Sequence, residues 1–204
     1  MNFYNNAKLI YWASPGCGSR SILGALNNTG EFDTYYEDPP DVYTFTHKQG
    51  FPPGKEDWKV VCAIRNPYTR VVSSFVREIV EDPGMVFKDY VLSKRYVNDT
   101  ISFDPCYYNE WSKLKKPDYF VRMENQVEDC LKIPEVKNNL KISVEQFEAE
   151  FSYNHYKNES PFCEYDEKDQ QNTRKYFDKE TADYVYNKEK IIFEIGNYRR
   201  DSWK

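Results

Sequence analysis

Lys59-Val60-Val61-Cys62-Ala63-Ile64-Arg65-Asn66-Pro67-Tyr68-Thr69-Arg70-Val71-Val72-Ser73-Ser74-Phe75 is the stretch on which the fold turns. Its first six residues are nearly all apolar and rich in β-branched side chains, as in a parallel strand buried on both faces. Asn66 then offers a side-chain oxygen to cap a helix, and Pro67 takes the first helical position, where its missing N–H costs nothing. Val71, Val72, Phe75, Val76 and Ile79 recur at helical spacing on one face. Arg70, Ser73, Ser74 and Arg77 are expected on the opposite face. The helix should end near Val80, before the breaker Asp82-Pro83-Gly84. Arg65 falls at the carboxyl end of the strand, where ligands bind in open α/β sheets.

Working outward, residues 8–13 form a second apolar run of strand length, followed by the turn cluster Ser14-Pro15-Gly16-Cys17-Gly18-Ser19. A helix should follow and end near Asn27-Asn28. Residues 32–36 and 42–46 are strand candidates, separated by Asp38-Pro39-Pro40-Asp41. Segment 85–118 reads as mostly helical or irregular, 119–123 as a strand, and the residues up to Leu131 as a short helix. Further helices are expected over 143–152 and 166–188, with a last apolar run at 191–195. Strands alternating with helices imply a three-layer α/β architecture around a central, mainly parallel sheet. Without repeats, low-complexity tracts or a linker, residues 1–204 are expected to form a single domain.

The composition excludes several classes. The chain has 204 residues, 40% of them hydrophobic and 17% aromatic, which argues against intrinsic disorder. No apolar run approaches the roughly 18 residues of a membrane span, and the first residues lack a signal-peptide pattern. A cytoplasmic location is therefore expected. A net charge of −5 disfavours generic nucleic-acid binding. Five cysteines, Cys17, Cys62, Cys106, Cys130 and Cys163, contain no C-x-x-C pair and read as reduced thiols. With only His47 and His155, neither in metal-ligand spacing, no metal site is expected.

The loop from Ser14 to Ser21 carries anion chemistry. Glycines between a strand and a helix let backbone N–H groups converge on a phosphate, with Ser19 and Ser21 adding hydroxyls and Arg20 a charge. It is no Walker A loop, since Gly-Lys-Ser/Thr is missing. It does partly match the dinucleotide pattern, with Ser21 replacing the third glycine, so a small dinucleotide-dependent oxidoreductase is one alternative. Such a protein would leave Arg65 and the Arg70, Ser73, Ser74 and Arg77 face unexplained. Two anion sites at one sheet edge suit a ligand bearing phosphates at both ends.

These residues resemble the PAPS-dependent sulfotransferases, closest in pattern to the carbohydrate sulfotransferases. Residues 14–21 are similar to that family's 5′-phosphosulfate loop. Residues 65–75 resemble its 3′-phosphate signature, R-[DN]-P-x-x-R-x-x-S-x-[FY], with each fixed position filled. Val121-Arg122-Met123-Glu124-Asn125 and residues 186–198 resemble weaker features further along. The resemblance implies a P-loop-like sulfotransferase fold and 3′-phosphoadenosine 5′-phosphosulfate (PAPS) as sulfuryl donor, with no metal. It places the 3′-phosphate on Arg65 and Ser73, and the phosphosulfate on Pro15, Gly16, Cys17, Gly18, Ser19, Arg20 and Ser21. The acceptor would be a hydroxyl, most simply of a glycan. Where the family carries Lys or Arg after the loop proline, this chain has Gly16. Arg20 and Lys48 are the two candidate replacements for that catalytic cation.

A general base is also needed near the acceptor hydroxyl. His47, between the two phosphate elements, matches the family's Thr-His element, although Phe45 replaces the usual lysine two residues earlier. Glu37 is the rival base. His155 and the run 113–116 read as solvated surface. The missing loop lysine also admits a nucleotide-binding protein without turnover.

Overall fold

The computed structural model describes residues 2–12, 17, 22, 26–29, 32–34, 54–93, 117–152 and 172–204. The expected strand over 42–46, most of the loop 13–21, and the predicted helical start over 166–171 lie outside them. The described residues are of mixed α/β type and group into two compact units, one drawn from 1–64 and 103–153, the other from 65–102 and 154–204.

The first unit is built on a five-stranded sheet. Its strands are β1 (Asn2–Tyr4), β2 (Leu9–Trp12), β3 (Phe32–Thr34), β4 (Lys59–Ile64) and β5 (Tyr119–Arg122). Their order is β3-β1-β2-β4-β5. β2, β4 and β5 run parallel, with Trp12 opposite Cys62 and Ile64 opposite Arg122. β1 runs antiparallel to both β2 and β3. The sheet is thus mixed, and the expectation of a mainly parallel one holds only for β2, β4 and β5. The reason is β1, a three-residue strand too short to show a periodic signal, which turns back through residues 5–8 to pair with β2.

β4 matches the predicted span, and Val60, Val61, Cys62, Ala63 and Ile64 are all fully buried, so both of its faces are covered. At the start of β5, Asp118 accepts from the Val60 amide at 2.9 Å and from the Lys59 ammonium at 2.9 Å, pinning the two strands in register. One sheet face presents Leu9, Tyr11, Val61, Ala63 and Val121 to a core shared with Cys130, Ile133, Val136 and Phe147. Those four come from the segment holding α3 (Gln126–Leu131), α4 (Pro134–Lys137) and α5 (Val144–Ser152), reached through a 3-10 turn over Met123–Asn125. Ser143 and Gln146 form a reciprocal cap at the start of α5.

The second unit is helical. It contains α1 (Pro67–Glu81), α2 (Phe87–Leu92) and α6 (Lys179–Gly196). As the sequence predicts, Asn66 caps α1, accepting from the Tyr68 amide at 3.0 Å. Val71, Val72, Phe75 and Val76 turn inward against Phe87, Tyr90, Val185 and Phe193. Much of this core is aromatic: Tyr68 meets Phe177 and Phe193 edge-on, each at 5.0 Å.

α6 departs from expectation. It starts at Lys179, where Asp178 and Thr181 cap each other, and takes in the apolar run 191–195 as helix. It stops at Asn197, whose left-handed φ of 53° turns the chain back. Among the described residues, no helix is long and apolar enough to cross a membrane.

Candidate functional site

β4 leads directly into Arg65, and β2, β4 and β5 all end at the same side of the sheet. Arg65 is only 9% exposed. Its Nε donates to Thr69 Oγ1 at 3.1 Å, and the Thr69 hydroxyl in turn donates to the Asn66 carbonyl at 3.0 Å. This relay folds the guanidinium against the first turn of α1. Ser73 lies four residues beyond Thr69, on the same helix face, and is half-buried. A guanidinium is thus held at the positive end of a 15-residue helix, which carries a hydroxyl, Ser73, one turn beyond Thr69. That donor set fits a phosphate.

Arg70 corrects the expected polar face. Its side chain is 3% exposed, and its Nη2 donates to Glu189 Oε1 of α6 at 2.6 Å, with Glu189 itself 2% exposed. At 100° per residue, position 70 stands opposite the Val71, Val72, Phe75 and Val76 stripe, and it is buried because Glu189 of α6 covers it on that side. A cation there is tolerated only because a carboxylate neutralises it. Arg70 thus ties α1 to α6 and belongs to the core of the unit. Ser73 and Ser74 remain at the boundary, half-buried. The Arg77 side chain lies outside the described residues.

In the first unit a second guanidinium, Arg122, sits beside Ile64 in the sheet register. It is committed locally. Its backbone N and Nε donate to Asp129 Oδ2 at 3.0 and 2.8 Å, and Nη2 donates to Oδ1 at 2.8 Å. Burial raises the Asp129 carboxyl, but these bonds and the charges of Arg122 and Lys132 outweigh it and hold the group below the usual carboxylate range. Burial, with Asp129 adjoining, pushes the Cys130 thiol up to about 12, which keeps it protonated and unreactive at neutral pH.

Of the anticipated site residues, Arg65 precedes α1 and is bonded to Thr69, and Ser73 stands one turn beyond Thr69 in that helix. Cys17 has a fully buried side chain in the core of the first unit, so only its backbone is left to face a ligand. Pro15, Gly16, Gly18, Ser19, Arg20, Ser21, His47, Lys48 and the rival base Glu37 lie outside the described residues. Among the described residues, no cluster of three or more His, Cys, Asp or Glu side chains is arranged to hold a metal ion.

Three residues were missed. Thr69 orients Arg65, Glu189 neutralises Arg70, and Ser202 accepts from the Asn66 side-chain amide at 2.9 Å. Glu189 left a trace, as a carboxylate at helical spacing among Val185, Ile192 and Phe193 implies a buried cationic partner. Ser202 left none, because its contact spans 136 residues. Comparison with family models, curated proteins and solved structures found no match.

Proposed function

We propose that this chain is a PAPS-dependent sulfotransferase with a P-loop-like fold, transferring a sulfuryl group to a carbohydrate hydroxyl. The observation that carries the proposal is the Arg65 relay: a guanidinium leaving the end of a buried parallel strand and held by Thr69 at the start of the helix that carries Ser73. Arg65 and Ser73 take the 3′-phosphate, while the backbone N–H groups of 16–21, following Pro15, with the side chains of Ser19, Arg20 and Ser21 take the phosphosulfate. The acceptor oxygen attacks sulfur in line, and the bond from sulfur to the 5′-phosphate oxygen breaks. His47 takes the hydroxyl proton, and Arg20 or Lys48 stabilises charge on the departing phosphate. The products are a sulfate ester and 3′-phosphoadenosine 5′-phosphate.

A thermal-shift comparison of 3′-phosphoadenosine 5′-phosphate with NAD and ATP tests this. At about 100 times its Kd the true ligand adds about 2.7 kcal/mol of stability. A shift with NAD alone would end the sulfotransferase proposal in favour of a dinucleotide enzyme. Gly16, standing where the family carries a cation, favours a second possibility: a protein that binds this nucleotide without turning it over. Sulfate transfer from labelled PAPS to glycan acceptors separates the two.

A further inference from the structure

The last seven residues fold back onto the start of α1. Asn197 turns the chain, and Tyr198 N donates to the Phe193 carbonyl at 2.9 Å. Arg200 is anchored to Asp183 at 2.8 Å and lies 4.7 Å from the centre of the Tyr186 ring. Its carbonyl accepts from the Tyr68 hydroxyl at 2.7 Å. Two residues later, Ser202 Oγ accepts from Asn66 Nδ2 at 2.9 Å. The Trp203 carbonyl accepts from Thr173 Oγ1 at 2.9 Å, closing the strap on its far side.

Asn66 is the hub. One side-chain atom caps α1 through the Tyr68 amide, the other is held by Ser202, and its carbonyl anchors the Thr69 hydroxyl that receives Arg65. The turn over 198–204 therefore grips the start of α1 at Asn66, the residue that follows Arg65, and at Tyr68. We propose that Ser202 is a positioning residue of the anion site: through Asn66 it fixes the helix start that orients Arg65 and Thr69 toward a phosphate. The assignment rests on the nucleotide-binding role proposed above. Ser202 itself does not touch the ligand.

The test compares binding of 3′-phosphoadenosine 5′-phosphate with adenosine 5′-phosphate, by calorimetry on the full chain. Wild type should prefer the 3′-phosphorylated nucleotide by about 10-fold or more. Ser202→Ala should cut that preference about 3- to 10-fold while leaving adenosine 5′-phosphate binding unchanged, the loss of one oriented hydrogen bond. Ser202→Thr, which keeps the hydroxyl, should restore it. Hydrogen exchange in the segment 66–72 should quicken in Ser202→Ala and not in Ser202→Thr. A wild-type preference that survives Ser202→Ala, or equal losses for both nucleotides, overturns the positioning role alone. A wild type without any preference overturns the nucleotide-binding role, and this assignment with it.

Discussion

Arg65 and Arg70 stand five residues apart and meet opposite fates for a local reason. Arg65 precedes the helix, so its guanidinium can lie along the first turn and be held by Thr69. Arg70 projects from the helix side opposite the apolar stripe, where α6 covers it, and it is neutralised there by Glu189. Arg65→Ala should therefore weaken 3′-phosphorylated nucleotide by about 1.5–3 kcal/mol and spare its analogue lacking that phosphate. Calorimetry decides this, and equal losses would place the phosphate elsewhere. Glu189→Ala should behave differently. Leaving a buried guanidinium uncompensated costs about 3–5 kcal/mol of stability, whereas the apolar pair Arg70→Met with Glu189→Leu recovers most of it. Urea unfolding of the three proteins checks the order; a single variant as stable as wild type would contradict the burial argument. For the proposed base, His47→Ala should lower turnover about 10²–10⁴-fold with nucleotide affinity intact. If Glu37→Gln abolishes turnover instead, the carboxylate is the base.

Helix ends are where the elements of the second unit are decided. α1 begins where Asn66 and Pro67 require it to, and its capping bond to the Tyr68 amide is local, with Ser202 holding the other end of the Asn66 side chain. α6 ends by a different device. Asn197 adopts a left-handed conformation and sends Tyr198 back over the final turn. The aromatic ring then occupies the space where a side chain on Gly196 would stand. Gly196→Ala is expected to destabilise by about 1–3 kcal/mol through overpacking, although alanine is ordinarily the better helix former. Asn197→Gly should be nearly neutral, since glycine accepts that backbone readily. Thermal unfolding of both variants distinguishes the two effects. A stabilised Gly196→Ala would show that Tyr198 moves aside without cost.

At the scale of the whole molecule, stability in acid should follow the paired carboxylates. Asp129 is held below its ordinary range in the folded chain, so the unfolded chain binds its proton more readily. The stability this contributes is complete above the unfolded value of about 4 and is lost as pH falls through the lower folded value. Urea midpoints across this range should drop for wild type. Asp129→Asn should be less stable near neutrality and lose less on acidification; an unchanged slope would assign the acid limb to other groups. The β4–α1 boundary was legible from sequence because its causes are local: β-branched residues, an Asn cap, a proline at the first helical position and a breaker after Glu81. The position of Arg65 at the end of that strand was legible too, since it follows directly from the strand's span. What only tertiary structure decided depends on partners distant in the chain. The strand β1 exists through pairing with β2 and β3, and α6 continues through 191–195 with Ile192 and Phe193 buried. Arg70 is buried because Glu189 stands 119 residues away in sequence and 2.6 Å away in space. No local pattern encodes such a distance: local signals placed β4 and the start of α1, whereas the strand β1, the bounds of α6 and the burial of Arg70 follow from packing.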